Sequence, residues 1–358
     1  MVMRIRVSAI IILICLLWAA PSFGQQDVST SSNVVWIEIP AAVAKFPILN
    51  SATGNDVIEC GTQEDAPAWR IGQWRNEQKS SLCRADALRV SETCSGATWE
   101  RATETLGLCY WKAERKLRMT VNASRMPYGG CCVFCDEKAR KNPGGYSINL
   151  AWKGRDMSDF GTGKQYWLRN LKSLIITTGF AQEQFTGMPC PPGVPKSLRK
   201  GPEGPVSHAR ANIFLADMDP QTGKPNRIIV FGTNLWDSRP GWAFSRKEFI
   251  DCEFPSGNKK WVVFTLPITA YDYRVTDRSG AISSSRLNNE TYKEPRQFEW
   301  DVLPVVLDRL KACLGSNADL SNLKLISAYF GNETFNSTIV VSTWINPRLK
   351  LVLKDSGM

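Results

Sequence analysis

Short runs of β-branched and aromatic residues recur along the chain, and they predict strands rather than helices. The run WVVFTLPI at 261–268 places apolar side chains alternately on two faces, which is the period of a strand. The segment 217–226 (DMDPQTGKPN) has the composition of a turn and predicts a hairpin between two strands. Further strands are predicted at 33–39, 117–122, 146–152, 166–170, 173–178, 212–216, 227–232, 324–330, 337–344 and 348–353.

Helical patterns are few. The segment 301–314 (DVLPVVLDRLKACL) predicts a helix in which Asp301 caps the first turn and Gly315 ends the last. A second helix is expected near 98–106. Many strands with one or two short helices predict a mainly β protein, an antiparallel β-sandwich of jelly-roll type stapled by disulfides.

The succession of hairpins over 212–344 resembles that of jelly-roll carbohydrate-binding modules and related glycan-active β-sandwich enzymes. The resemblance rests on the strand pattern and on no signature motif. It implies a glycan ligand by analogy of fold.

The first 24 residues have the three parts of a secretory signal peptide: Arg4 and Arg6, an apolar stretch at 7–20, and small residues at 22 and 24. A 14-residue helix rises only about 21 Å, which is too short to cross a bilayer core of roughly 30 Å. We therefore expect a secreted or periplasmic protein that does not span the membrane after cleavage. Residues 25–145 are expected to form a Cys-rich region packed on a β-sandwich domain at 146–358, although 25–358 could equally be one continuous domain.

Ten cysteines remain after the signal segment, and an even number in an exported chain predicts disulfides. Seven of them precede residue 136 and three follow it. Because seven is odd, full pairing requires at least one bridge between these two groups. The C-x-x-C spacing at 132–135 matches that of thioredoxin-like redox sites, but the glycines at 129–130 and the acids at 136–137 favour a stapled loop. A single histidine in the chain argues against zinc. We predict no metal and no cofactor. The ten residues are Cys60, Cys83, Cys94, Cys109, Cys131, Cys132, Cys135, Cys190, Cys252 and Cys313.

Positive charge is concentrated in the middle of the chain. The whole sequence has 44 Lys and Arg against 34 Asp and Glu, a net charge of +10, and residues 111–210 alone have 17 against 7. Its densest parts lie at 112–118, 138–141 and 196–200. A basic face for an anionic polysaccharide and a scatter of solubilising charges both fit this pattern. No nucleic-acid motif accompanies the charge, so nucleic acid is not an expected partner.

The segment 234–242 (NLWDSRPGW) combines two indoles with groups that bind hydroxyls, and it predicts a sugar-binding loop. Trp236 and Trp242 would stack on sugar rings, while Arg239 and Asn234 would hold hydroxyl or acidic groups. The alternative is that both indoles pack in the core.

Glycan cleavage would instead need two carboxylates in one cleft. Glu299 and Glu333 are candidates, with Asp237 and Glu253 as further ones. His208 follows a Pro- and Gly-rich segment and is expected to be an ordinary surface histidine.

These observations leave three hypotheses open. The first is a glycan-binding β-sandwich that does not turn its ligand over, with a polysaccharide or cell-surface glycan as its partner. The second is a glycoside hydrolase or polysaccharide lyase on the same fold. The third is a surface adhesion or structural protein.

Overall fold

The computed structural model describes residues 33–50, 57–62, 64–66, 68–74, 81–84, 94–123, 145–153, 166–187, 206–238, 261–266, 274–276, 282–283, 291–335 and 338–355. Within these ranges one α-helix, α1 (Leu303–Leu314), accompanies a large set of strands. The strands are β1 (Val34–Ile37), β2 (Ile48–Asn50), β3 (Val57–Cys60), β4 (Trp69–Trp74), β5 (Trp99–Ala102), β6 (Leu106–Trp111), β7 (Lys116–Asn122), β8 (Gly145–Lys153), β9 (Leu171–Gly187), β10 (Val206–Met218), β11 (Pro225–Asp237), β12 (Trp261–Leu266), β13 (Arg274–Thr276), β14 (Ile282–Ser283), β15 (Arg296–Asp301), β16 (Leu323–Phe335) and β17 (Thr338–Leu353).

The described strands form two sheets. Sheet A has the order β14-β13-β15-β9-β17-β7-β6-β5, and β1 also pairs with β17. Sheet B has the order β12-β11-β10-β16-β8-β4-β2-β3. Pairing is antiparallel except between β11 and β12 and between β2 and β4 in sheet B. The predicted mainly β fold, a sandwich of two antiparallel sheets, is confirmed.

The core lies between the two sheets. Phe330 of sheet B meets Trp344 of sheet A edge to face, with ring centroids 6.0 Å apart. The amide of Asn332 also bridges the sheets, because it donates to the backbone oxygen of Met119 (3.4 Å) and accepts from the hydroxyl of Ser342 (2.8 Å). These contacts establish which face of each strand points inward, so the opposite face of sheet B can be identified residue by residue.

Several local predictions are confirmed. The β10–β11 hairpin closes through Asp219, whose carboxylate accepts the backbone N–H groups of Gln221 and Thr222. Helix α1 is present and ends at Gly315, which has a positive φ of 98°. Its N-cap residue is Val302 rather than the predicted Asp301, although the Asp301 carboxylate accepts the N–H of Leu303. The two predicted strands at 337–344 and 348–353 are a single strand, β17.

Three predictions are wrong. The helix expected near 98–106 is replaced by β5 and the start of β6, which pair as a hairpin. The strand expected at 166–170 is instead a short 3₁₀ turn at Leu168–Asn170. The loop expected at 234–242 begins inside a strand, because Asn234 and Asp237 both belong to β11. At 98–106 and at 234–237 sheet pairing overrides the local preference of the sequence.

Two of the predicted disulfides are present, Cys60–Cys83 and Cys94–Cys109. Both join residues that are close in sequence. The remaining cysteines (Cys131, Cys132, Cys135, Cys190 and Cys252) lie outside the described residues, as does the side chain of Cys313. A bridge between the two cysteine groups therefore stays a prediction.

Strands from both sides of residue 145 pair with one another, β4 with β8 in sheet B and β7 with β17 in sheet A. The division into regions 25–145 and 146–358 stays a prediction. Among the described residues, no helix has the length and apolar character needed to cross a membrane.

Candidate functional site

The outer face of sheet B, turned away from the core, bears polar and aromatic side chains. Along β10 the core takes Ala209, Ala211 and Ile213. The period of two then directs the even-numbered residues to the outer face. Neighbouring positions on β16 and β8 share that face through the sheet register. The side chains used below are His208, Arg210, Asn212, Phe214, Tyr329, Glu333 and Asn149.

Glu333 is the centre of a hydrogen-bonded cluster on this face. His208 Nε2 lies 2.7 Å from Glu333 Oε2, and Arg210 donates to the same oxygen at 3.0 Å. The hydroxyl of Tyr329 donates to the other carboxylate oxygen at 2.8 Å. Three donors from two adjacent strands therefore hold both oxygens of one carboxylate in a fixed orientation.

The cluster sets the charge state of its members. Burial raises the pKa of Glu333, but the Arg210 guanidinium and the hydrogen bonds from His208 and Tyr329 outweigh that effect and hold this pKa well below its usual range. Burial and the Arg210 charge lower the pKa of His208, against the opposing influence of Glu333 and Asp237. Burial and the Glu333 charge raise the pKa of Tyr329 well above its usual value. At neutral pH the cluster thus pairs one carboxylate with one guanidinium, beside a neutral imidazole and a neutral phenol.

An irregularity in the β10–β11 pairing extends the cluster. Ala209 pairs with Trp236 but Arg210 pairs with Asn234, so Leu235 is an extra residue in β11. Asn234 and Asp237 are three residues apart and would face opposite ways on a regular strand. The bulge brings them together: Asn234 accepts from Arg210 Nε at 2.9 Å and donates to Asp237 Oδ2 at 2.9 Å.

Two aromatic rings lie beside the charged cluster. Phe214 and Tyr329 are half-buried, and their ring centroids are 5.6 Å apart at an interplanar angle of 49°. Between Tyr329 and Glu333, Gly331 has no side chain, and a Cβ there would overlap Asn149 and the backbone oxygen of Ile148. Asn149 and the β8 backbone therefore fill the space beside Gly331, where β16 and β8 are in close contact.

The sequence-predicted sugar-binding residues are only partly brought together. Asn234 lies in the cluster, whereas Trp236 points into the core, with 0% of its surface exposed and its ring 5.1 Å from Phe185. An indole with no exposed surface cannot stack on a sugar, so the alternative of core packing describes Trp236. Arg239 and Trp242 lie outside the described residues.

The four carboxylates predicted as candidates for catalysis are not all brought together. Glu299 is exposed on β15 of sheet A, while Glu333 and Asp237 lie on the outer face of sheet B. Asp237 is fully buried and is the residue opposite His208. Glu253 lies outside the described residues. Of the three described carboxylates, Glu333 and Asp237 therefore lie on the same face of one sheet, although Asp237 has no exposed surface.

Sequence reasoning missed His208, Arg210 and Tyr329. His208 is a buried strand residue that contacts Glu333, so the expectation of a surface histidine is wrong. A signal was present in the segment HARANIF at 208–214, where polar and apolar residues alternate with the period of a strand. Among the described residues, no group of three or more acidic, histidine or cysteine side chains is arranged to hold a metal.

Comparison with known proteins finds similarity in solved structures alone. No family model matches the chain, and no curated protein matches it. A family 12 xyloglucanase from Bacillus licheniformis is 10% identical, with a TM-score of 0.31, over 71% of this chain and 99% of its own. The family 11 xylanase from Neocallimastix patriciarum is 9% identical, with a TM-score of 0.32, over 72% of this chain and 90% of its own. The endoglucanase 3 from Trichoderma harzianum is 11% identical, with a TM-score of 0.26, over 74% of this chain and 100% of its own.

At these identities and TM-scores the similarity is distant. The function of this chain is therefore argued from the outer face of sheet B alone.

Proposed function

We propose that the protein binds a glycan on the outer face of sheet B. The observation that carries the proposal is the juxtaposition of two half-buried rings, Phe214 and Tyr329, with the Arg210–Glu333 charge pair. Sugars present apolar C–H faces and a periphery of hydroxyl groups, and a binding site must supply partners for both. This surface has both kinds of partner on one rigid sheet.

The rings supply the stacking partner. Tyr329 is held by its hydrogen bond to Glu333, and Phe214 is held by its contact with Tyr329. Neither ring must lose much conformational freedom when a ligand binds, which reduces the entropic cost of association. This replaces the predicted stacking role of Trp236 with two rings on neighbouring strands.

The polar cluster supplies the hydroxyl partners. The carboxylate of Glu333 and the guanidinium of Arg210 each keep a small exposed fraction, 16% and 14% of the side chain. Because their mutual contacts fix their orientation, they present a donor and an acceptor at a defined spacing. Charge-assisted hydrogen bonds of this kind are stronger than neutral ones.

The location of the protein is part of the proposal. The two disulfides fit an extracellular or secreted protein. We propose in addition that residues 1–24 are a cleaved signal peptide and that the mature protein is secreted or periplasmic. Amino-terminal sequencing of the protein recovered from outside the cytoplasm tests this, because it should begin near residue 25; a product that retains Met1 contradicts it.

A binding screen with two matched variants tests the site. The protein is applied to a panel of immobilised neutral and acidic polysaccharides, and its affinity for the best ligand is measured by calorimetry. Phe214→Ala should weaken binding about tenfold, since it removes one stacking surface. Trp36→Ala, which removes a half-buried ring from β1 of sheet A, is the control and should bind as the wild type does. Equal affinity of wild type and Phe214→Ala would contradict the proposed site.

One observation favours cleavage as a second candidate function. Glu333 and Asp237 lie on the same face with β10 between them, so their Cα atoms are about 10 Å apart at the usual strand spacing. Glycosidases that invert configuration place two carboxyl groups roughly 6.5–9.5 Å apart, and those that retain it about 5–5.5 Å. The low pKa of Glu333 keeps this carboxylate ionised, so Glu333 would not be the proton donor of the pair.

Release of reducing ends distinguishes cleavage from binding. The polysaccharides that bind are incubated with wild type, Glu333→Gln and Asp237→Asn, with Glu299→Gln as a control on the other sheet. Cleavage predicts product with the wild type and Glu299→Gln and a loss of at least about a hundredfold in the other two. Binding without product in any sample would reject the enzyme hypothesis and leave the binding function.

A further inference from the structure

A cavity of about 520 Å³ lies at the end of the β6–β7 hairpin, and none of its lining residues belongs to the Glu333 cluster. We call it the turn cavity and define it by its lining residues, Ala41, Thr98, Lys112, Ala113, Glu114, Arg115 and Asn346. The first three are contributed by the β1–β2 connection, the start of β5 and the hairpin turn. Its volume falls in the range of about 300–1,000 Å³ that is typical of small-ligand sites.

Two lining residues have left-handed backbone conformations. Arg115 has a φ of 48° and Asn346 a φ of 47°, and the N–H of Asn346 donates to the backbone oxygen of Arg115 at 3.0 Å. Such conformations cost a non-glycine residue about 1–2 kcal/mol each. The surrounding structure therefore fixes both side chains at the same cavity.

The polar groups of the cavity are not fully satisfied by the protein. The side-chain oxygen Oδ1 of Asn346 is buried and accepts no hydrogen bond within the described part of the chain. Buried acceptors are almost always satisfied in native proteins, so this atom is suited to a donor from a ligand. The ammonium of Lys112, on the same wall, makes no ion pair with the described residues.

Positive charge exceeds negative charge around the cavity. The carboxylate of Glu38 lies 3.0 Å from the guanidinium of Arg115 and 3.4 Å from that of Arg348, so one acid serves two bases. Glu114, the one acidic residue of the lining, pairs with Lys116 at 2.8 Å, so two acids face four bases (Lys112, Arg115, Lys116 and Arg348) among the described residues around the cavity. The cavity therefore offers cations to an anion and an oxygen acceptor to a hydroxyl.

We propose that the turn cavity is a second ligand site and that it binds an anionic sugar, carboxylated or sulfated. The acidic group accepts from Lys112 and Arg115, and a neighbouring hydroxyl donates to Oδ1 of Asn346. A simple inorganic anion would leave that oxygen unsatisfied, and a neutral sugar would leave Lys112 unpaired. The proposal gives a place to the basic segment 112–118, and it does not rest on the site proposed on sheet B.

Calorimetry with matched ligands and matched variants tests this site. The probes are a tetragalacturonate, its methyl ester, which has the same hydroxyls without the charges, and a sulfated tetrasaccharide. We expect the full-length mature protein to bind at least one of the two anionic probes and to bind the ester at least about tenfold more weakly. Binding should also weaken when the salt concentration rises from 50 to 300 mM, as screening predicts.

Two substitutions locate the binding. Lys112→Gln removes the unpaired charge, and Asn346→Gly removes the acceptor while keeping a residue that tolerates a positive φ. Each should weaken binding of the anionic probe about fivefold to tenfold, with an unchanged Tm showing that the fold is intact. Lys172→Gln, the same charge change at an exposed position of β9, is the control and should bind normally.

The outcomes separate the two sites. Loss of anionic-probe binding in Lys112→Gln but not in Phe214→Ala supports a distinct turn-cavity site, whatever the result on sheet B. Binding of neither anionic probe, or equal binding by wild type and Lys112→Gln, would overturn the proposal. Comparing the carboxylated with the sulfated probe then identifies which acidic group the site accepts.

Discussion

Replacing Glu333 with Gln is the sharpest test of the polar cluster. The substitution preserves the size and shape of the side chain but removes its negative charge. Arg210 then keeps its positive charge on a largely buried face and loses the Glu333 carboxylate, while its hydrogen bond to Asn234 and the nearby charge of Asp237 remain. The neutral amide can still accept the hydrogen bond from Tyr329.

The expected cost follows from burial. Removing one partner of a buried ion pair costs about 3–5 kcal/mol, because the other charge stays desolvated. Since the Glu333 and Arg210 side chains retain 16% and 14% of their exposure, we expect the lower end, about 3 kcal/mol. The matched control is Glu114→Gln, whose carboxylate is 54% exposed and pairs with Lys116. An exposed pair contributes about 0–1 kcal/mol.

Urea unfolding at pH 7 measures both variants. The free energy of unfolding is obtained by linear extrapolation, and equal m-values show that the unfolded states are comparable. Glu333→Gln should lose about 3 kcal/mol more than Glu114→Gln does. Combining it with Arg210→Met should cost less than the sum of the single changes, because the unpaired charge is then absent. A difference under 1 kcal/mol between the two glutamine variants would refute the reasoning.

The same pair of proteins has a pH signature. The pKa of Glu333 is lowered by folding, so its contribution to stability is present above the unfolded value of about 4.3 and is lost as the pH falls below it. The stability difference between wild type and Glu333→Gln should therefore shrink from pH 5 towards pH 2. A difference that stays constant over this range would show that the charge is not responsible.

Three further predictions concern single residues. His208 is the one histidine of the chain, so proton NMR of the untagged protein should show one imidazole titrating below its ordinary pKa of 6.5. Because the unfolded chain then protonates first, the free energy of unfolding should fall as the pH drops through 6.5. A midpoint at or above 6.5 would contradict the burial of a neutral ring. Lys324 is 1% exposed, and burial lowers its pKa to about 8. Lys324→Met should therefore unfold at a higher urea concentration than the wild type at pH 7. This difference in stability should shrink between about pH 8 and 10.4, because the folded wild type sheds the proton first. Gly331→Ala should lower the Tm several times more than Gly223→Ala does, because a Cβ at 331 overlaps Asn149 and backbone atoms. A Cβ at 223 meets no atom, and the substitution there costs only the strain of a positive φ of 65°. Similar decreases in Tm in both variants would mean that the sheet adjusts freely.

Most of the fold could be predicted from the strand pattern, because runs of apolar and β-branched residues mark the segments of each strand that pack in the core. The strands are longer than those runs where a polar stretch continues the pairing. β10 extends from Val206 although the predicted segment begins at 212, and β9 continues to Gly187 beyond the predicted end at 178. His208 and Arg210 of the polar cluster lie in the extension of β10. Glu333 likewise lies in β16 beyond the predicted end at 330, whereas Phe214 and Tyr329 lie within the predicted segments.

The candidate site was predictable only in part. The sequence named Asn234, Asp237 and Glu333 as separate candidates, but the grouping of Asn234 with Asp237 depends on the extra residue at Leu235, which no local pattern marks. The same bulge turns Trp236 into the core and so removes the indole on which the sequence argument relied. His208 and Glu333 are 125 residues apart, and their contact depends on the pairing of β10 with β16.

The central claim, that a glycan lies on the outer face of sheet B, is tested most directly by hydroxyl-radical footprinting of the wild-type protein with its best polysaccharide from the binding screen. Ligand should slow the oxidation of Phe214 and Tyr329 and leave the rate at Trp36, on sheet A, unchanged. Unaltered oxidation of both Phe214 and Tyr329 under saturating ligand would contradict it.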